Sequence, residues 1–192
     1  MVKNNRPIGA QYLPILALLW LTACHNPDKN KKIDPAKVQF TTTASSLLFF
    51  KNVRQLYYDR QVQQAAKLDL YRIGERKLDP SKPILNLIIV NNWRYDETYI
   101  LLEPNAFFTD SDSLRVAWQN QKTGESGEYI FPNGDKKTHF KFAAELYGSI
   151  QDGHQLTLQT DTAAYPILAT EAHREPFRKT MIDYLRLVGV LQ

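Results

Sequence analysis

The chain has 192 residues, 43% of them hydrophobic and 23% charged, the proportions of a globular protein and not of a disordered one; its length suits one domain whose core needs no disulfide or metal. The formal charge of +4 is unevenly placed: residues 1–23 carry Lys3 and Arg6 and no acid, residues 24–37 carry four Lys against Asp28 and Asp34, and residues 38–192 carry 18 of the 24 basic and 18 of the 20 acidic residues. The part expected to fold is formally neutral, which argues against nucleic acid as a partner, since such binders use a net basic footprint to displace counterions.

The N-terminus runs basic, apolar, small, Cys. Lys3 and Arg6 precede the apolar run Tyr12–Leu21, broken only by Pro14. That run has the length of a signal-peptide core and falls short of the ~20 residues that span a bilayer. Leu21-Thr22-Ala23-Cys24 follows and resembles the lipobox of bacterial lipoproteins at all four positions. The resemblance implies cleavage between Ala23 and Cys24, a diacylglycerol thioether on the Cys24 sulfur and often another acyl chain on its amine. One acyl chain gives marginal membrane binding, whereas two or three hold a protein there. The membrane is thus an expected partner through the anchor. In diderm bacteria, Asp directly after the lipidated Cys is associated with inner-membrane retention. His25 stands here, so the resemblance favours the outer membrane. The competing reading, an ordinary secretory signal ending at Ala23 with Cys24 incidental, also places the chain outside the cytoplasm. Cys24 is the single cysteine, so it has no intramolecular disulfide partner.

Residues 24–37 are polar, twice broken by proline and without apolar periodicity, which predicts a flexible tether carrying lipidated Cys24. A single globular domain is expected over 38–192. Its first half reads as strands. Ser46–Phe50 is a short apolar run, and Val53–Tyr58 extends it or forms an irregular segment. Leu68–Ile73 alternates as a half-buried strand should, and Gly74 ends it. Ile84–Val90 is apolar on both faces, which predicts a central strand, and Thr98–Leu102 returns beside it as a hairpin. Leu114–Trp118 and Glu128–Phe131 predict a second hairpin.

The period then changes. Phe140, Ala143, Tyr147 and Ile150 recur at helical spacing and predict a helix over 136–151, with Asp135 or Thr138 as its cap. Gln155–Thr160 and Tyr165–Leu168 read as a last strand pair. A second helix is expected over 174–190, with Pro176 in its first turn and Phe177, Met181, Tyr184 and Val188 along one stripe. Mainly antiparallel strands with two late helices predict an α+β fold or a sandwich with appended helices, not a doubly wound parallel sheet.

Signatures of chemistry are scarce. His25, His139, His154 and His173 lack metal-ligand spacing, so neither a metal nor a cofactor is expected. No Gly-x-Ser-x-Gly, Walker loop or Gly-x-Gly-x-x-Gly is present, and no catalytic residue is nominated. Asp110-Ser111-Asp112-Ser113 lacks the remainder of an EF-hand and reads as a polar turn. Tyr57 and Tyr58 read as the cover of a core edge. The expected hairpin tip, Trp93-Arg94-Tyr95, combines residue types enriched in binding hot spots. The leading expectation is a membrane-anchored envelope lipoprotein whose exported domain binds or supports another envelope component, with Trp93, Arg94 and Tyr95 as partner-binding residues. An envelope hydrolase with a site assembled from distant residues, and a glycan-binding module using Trp93, Tyr95 or Tyr57, are the alternatives.

Overall fold

The computed structural model describes residues 32–34, 36–108 and 113–191. The expected signal segment, Ala23 and Cys24 lie outside the described residues, as do Asp110, Ser111 and Asp112 of the acidic turn.

The apolar run Ser46–Phe50, expected as a strand, lies mostly in a short helix, Ala44–Phe49 (α1). Its start explains the outcome. Thr43 Oγ1 accepts the Ser46 amide at 3.1 Å, and Ser46 Oγ accepts the Thr43 amide at 3.2 Å. This reciprocal capping box satisfies two amides that a helix start otherwise leaves open. The chain then widens into a π turn, Phe50–Arg54, and tightens into a 3-10 turn, Gln55–Tyr57.

Four strands follow: Tyr58–Gln63 (β1), Leu68–Ile73 (β2), Leu85–Asn92 (β3) and Glu97–Pro104 (β4). They form an antiparallel sheet in the order β1-β2-β3-β4. β1 escapes the sequence pattern because it is an edge strand in which only Tyr58 is buried. β3 lies between β2 and β4, as its apolar run predicts. Alternation sends Leu85, Leu87 and Ile89 into the main core. Ile88 and Val90 join Leu70 in a smaller cluster on the opposite face.

A second antiparallel sheet, ordered β6-β5-β7-β8, comprises Leu114–Gln119 (β5), Ser126–Phe131 (β6), Gln155–Gln159 (β7) and Ala164–Ile167 (β8). Between β6 and β7 runs the helix Lys136–Gln151 (α2), capped by Asp135, whose carboxylate accepts the Lys137 and Thr138 amides at 3.0 Å each. α2 packs against β4 of the first sheet and against β6 and β7 of the second. The fold is α+β with two antiparallel sheets.

The last helix, Glu171–Leu187 (α3), starts earlier than expected. The Thr170 carbonyl already accepts the His173 and Arg174 amides, so Pro176 falls in the second turn, not the first. There it forfeits one backbone hydrogen bond of the helix. The expected stripe holds, since Phe177, Met181, Tyr184 and Val188 are all buried. One apolar cluster joins this stripe to Ile89 and Ile100 of the first sheet, Val116 of the second, and Phe140 and Leu146 of α2.

The outer edge of β4 is closed by other parts of the chain. The Thr98 amide donates to the Phe40 carbonyl at 2.7 Å, and the Thr42 amide donates to the Asp96 carbonyl at 2.9 Å. Farther along, the Leu102 amide donates to His139 Nδ1 at 3.0 Å. These contacts satisfy groups that a bare edge would offer to another strand. They also fix residues 40–42, and with them the start of α1, beside the β3–β4 turn.

Candidate binding surface

The segment from α1 to β1 is held by polar contacts built around Phe50. The Phe50 ring packs against Tyr58 at 5.5 Å and Tyr71 at 5.1 Å between centroids. Each tyrosine points its hydroxyl at a buried aspartate that an arginine also holds. Asp183 of α3 accepts Arg54 Nε at 2.8 Å, Arg54 Nη2 at 3.0 Å and the Tyr58 hydroxyl at 2.7 Å. Asp69 accepts Arg60 Nη2 at 3.0 Å and the Tyr71 hydroxyl at 3.4 Å. The two-pronged Arg54 contact is the planar recognition that a lysine does not reproduce.

Electrostatics follow from this arrangement. Burial first, then the Asp183 charge, push the Tyr58 hydroxyl well above its ordinary range. The Tyr71 hydroxyl is pushed up to about 12, mainly by burial, with Asp69 adding to it. Hydrogen bonding to Asp183 raises Arg54. Both tyrosines stay protonated donors, and both aspartates have partners, as buried charges require. Ser46 Oγ adds a contact to the Leu187 carbonyl at 2.7 Å. The segment is thus pinned to α3 at both of its ends.

Pinning by polar groups leaves the apolar ones facing out. Leu48, Phe49, Val53, Leu56 and Tyr57 are all exposed, Leu56 to 70%. The π turn contributes, because its extra residue shifts the helical phase between Phe50, which points in, and Val53 and Leu56, which point out. Of the expected core-edge pair, Tyr58 is buried and Tyr57 is exposed.

The β3–β4 turn adjoins this segment. Trp93, Arg94 and Tyr95 lie together in that turn, with Trp93 exposed to 41% and Tyr95 to 62%. Lys67 Nζ sits 4.8 Å above the Trp93 ring, and the Arg94 guanidinium lies 5.4 Å from the Tyr95 ring. The Trp93 amide donates to the Lys67 carbonyl, which ties this turn to the one between β1 and β2. Of the ten exposed large hydrophobics among the described residues, five lie on the helical segment, and Val62, Trp93 and Tyr95 lie at the margin of the first sheet formed by its β1–β2 and β3–β4 turns. The register puts Tyr58 at the other end of β1 from that margin, so Leu56 and Tyr57 stand apart from Trp93. Scattered exposed apolar residues are ordinary, whereas several on neighbouring elements mark a candidate interaction surface.

Two other places have the residue types of a site. Ser149 Oγ lies 3.1 Å from His154 Nδ1 and 2.9 Å from the Tyr129 hydroxyl, with Trp118 stacked on the imidazole at 4.6 Å. The pair has nucleophile–base spacing, but Ser149 is 1% exposed, so its hydroxyl meets no substrate and serves the packing at the end of α2. A cleft of about 260 Å³ is lined by Lys77, Lys82 and His173 above Ile84, Pro166 and Leu168. Burial, then the charges of Lys77 and Lys82, lower His173. Its Nδ1 pairs with Thr170 Oγ1 at 2.9 Å, and it has no carboxylate partner in the cleft. His139, the remaining described histidine, has Nδ1 occupied by the Leu102 amide and is lowered by burial. Among the described residues no group of three His, Cys, Asp or Glu is placed to hold a metal ion.

Sequence reasoning found the turn residues and Tyr57, and missed Leu48, Phe49, Val53 and Leu56 as exposed residues of the helical segment. Comparison with protein-family models, with curated proteins and with solved structures finds no match.

Proposed function

We propose that this chain is a lipid-anchored protein of the bacterial envelope whose exported α+β domain works as a binding module. The anchor rests on Leu21-Thr22-Ala23-Cys24 at the end of an apolar run. The binding role rests on the exposed apolar side chains of the helical segment and of the margin that carries Trp93, Arg94 and Tyr95, the residues expected from sequence. The chain just ahead of α1 is hydrogen-bonded beside that turn. Aromatic rings held by strands and a pinned helix present contact area at low entropic cost. Lysine and arginine over two of those rings keep the surface soluble while it is unoccupied.

Two measurements test this. Metabolic labelling with an acyl analogue is expected to mark the wild type and not Cys24→Ser; equal label would remove the anchor. A photo-crosslinking residue placed at Leu48 or Trp93 in cells is expected to form adducts that one at Thr157, on the polar outer face of the second sheet, does not. Equal adduct yield at all three positions would remove the surface.

A further inference from the structure

The cleft of about 260 Å³ at the start of β3 has both of its walls clamped. One wall is the loop that carries Lys77 and Lys82. Asn105 Nδ2 donates to the Asp79 carbonyl at 2.8 Å and to the Lys82 carbonyl at 2.7 Å. Asn105 Oδ1 accepts the Ile84 amide at 3.0 Å, and Asn86 Nδ2 donates to the Lys77 carbonyl at 3.0 Å. The other wall turns at Leu168, a buried residue whose φ of 47° lies in the left-handed region that a bulky side chain rarely adopts. Arg174 holds that turn. It donates through Nε to the Leu168 carbonyl and through Nη2 to the His154 carbonyl, each at 2.6 Å. Backbone strain of this kind persists where surrounding contacts over-determine it, and it gathers at ligand sites.

Charge inside the cleft is unbalanced. Lys77, Lys82 and His173 line it, and no carboxylate does. Neither lysine has an ion-pair partner among the described residues. The carboxylates of the adjoining segments are engaged elsewhere: Asp79 by the Ser81 amide and hydroxyl, Glu75 by Lys179, Glu103 by Arg72, and Glu171 and Glu175 by Arg178. Thr170 takes His173 Nδ1, and Nε2 has no partner among the described residues. Like charges around one opening repel, and an anion seated among them relieves the repulsion. The floor beneath is apolar, with Ile84 and Leu168 buried and Pro166 beside them. The volume lies below the roughly 300–1,000 Å³ of pockets that hold drug-sized ligands, so the cleft takes one small group.

We propose that this cleft binds a carboxylate carried on one small apolar group, with the charge among Lys77, Lys82 and His173 and the apolar part on Ile84, Pro166 and Leu168. A free organic acid and the C-terminus of a peptide chain ending in an apolar residue share this chemistry. The site is separate from the exposed aromatic turn and the helical segment, since neither Leu48 nor Trp93 lines it, and a failure of the crosslinking test at those positions leaves it untouched.

The full chain in phosphatidylcholine nanodiscs is titrated with 4-methylpentanoate, its amide, acetate and inorganic phosphate, and with the peptide Gly-Gly-Leu carrying a free or an amidated C-terminus. Saturation-transfer NMR reads binding, with empty discs as the blank. Lys77 and Lys82 are both exposed, so Lys77→Gln with Lys82→Gln is expected to keep the wild-type melting midpoint. The expected result is saturable binding of 4-methylpentanoate, at least about tenfold tighter than of its amide, acetate or phosphate, and at least about fivefold weaker in the double variant. Tighter binding of the free-ended peptide than of the acid identifies the source as a chain end, and the reverse order identifies a free acid; both orders uphold the site. Equal affinity for acid and amide overturns the proposal, as does wild-type affinity in the double variant. Acetate or phosphate binding as tightly as the longer acid, or no saturable binding up to ~10 mM, overturns it as well.

Discussion

The N-terminal helical segment and α3 lie against each other and are built on opposite plans. α3 buries nine of its residues, Phe177, Met181 and Tyr184 of the stripe among them, whereas α1 buries none. The last helix is held by apolar packing. The first is held by an ion pair to Asp183, two hydroxyl contacts and its link to the β3–β4 turn. A segment secured by polar groups has its apolar residues free for another use. This is why Leu48, Leu56 and Tyr57 read as surface and not as an unfinished core.

The contrast is tested most severely in α3. Met181 is 0% exposed, and Met181→Asp places an unpaired charge there while removing a large apolar side chain. The expected loss is at least about 4 kcal/mol, a large share of the roughly 5–15 kcal/mol that an ordinary domain has. A denaturant midpoint within experimental error of wild type would mean that the stripe is not a core element. Leu48→Ser, by contrast, is expected to stay within about 0.5 kcal/mol, as surface substitutions do.

A smaller effect separates the two modes of attachment. Asp183→Ala removes the shared acceptor of Arg54 and Tyr58. Breaking a buried pair from one side costs roughly 3–5 kcal/mol. The Arg54 side chain retains 23% exposure and can turn to water, so about 2–3 kcal/mol is expected. The distinguishing readout is local. Amides of residues 44–57 are expected to lose hydrogen-exchange protection relative to those of β5 and β7. Uniform loss across both sheets would show that the pair stabilises the whole fold and does not hold one segment.

How much of this was legible in the sequence depends on what held each element. α2 and the α3 stripe could be read because apolar packing imposes a 3.6-residue period, and β3 because burial on both faces leaves an unbroken apolar run. β1 could not, since an edge strand with one buried residue has no alternation to show. α1 was misread because its apolar run is short and its residues serve two surfaces, which blurs any period. The signal that finds it is Thr43 three positions before Ser46, a weaker form of the familiar Ser/Thr-x-x-Glu start. The same cause hid most of the contact surface. Exposed Trp93 and Tyr95 follow from a turn between two strands, but leucines that point outward look like core until a structure shows where they face. Pro176 misled by one turn, because proline is commonest at a helix start and the backbone here had already begun at Thr170.

Acid is expected to loosen the β4 edge. His139 Nδ1 accepts the Leu102 amide, so the ring is neutral in the fold, and burial lowers its pKa while Asp135 partly opposes the shift. The unfolded chain binds this proton near pH 6.5. A lowered folded value means that the contribution is fully present above that pH and is lost progressively as pH falls toward the folded pKa. His173 is lowered as well and acts in the same direction, so the wild-type curve contains both. The difference between wild type and His139→Gln isolates the first. Stability measured by denaturant between pH 7.5 and 5 is expected to fall less steeply in the variant. Parallel curves would show that the contact does not govern the edge.

A small effect on stability is expected at Trp93, and it separates surface from core most cleanly. A tryptophan packed under its own hairpin would cost roughly 3–5 kcal/mol when cut to alanine. Here the ring is 41% exposed and Lys67 Nζ lies over it at 4.8 Å, a contact worth about 0.5–1 kcal/mol at an exposed site. Trp93→Ala is therefore expected to lower stability by only about 1 kcal/mol. If the ring is a central contact of the margin, the same change should cost about 2 kcal/mol of binding, on the order of thirtyfold in affinity. A thermal melt gives the first number, and the yield of Leu48 crosslinked adducts in the Trp93→Ala background reads the second. A large fall in the melting midpoint would place Trp93 with the Met181 class of residue and shrink the contact surface to the helical segment. Unchanged stability with unchanged adduct yield would leave the aromatic turn outside the contact. A small fall in stability with a large fall in affinity is the pattern that only an outward-facing tryptophan at the contact produces.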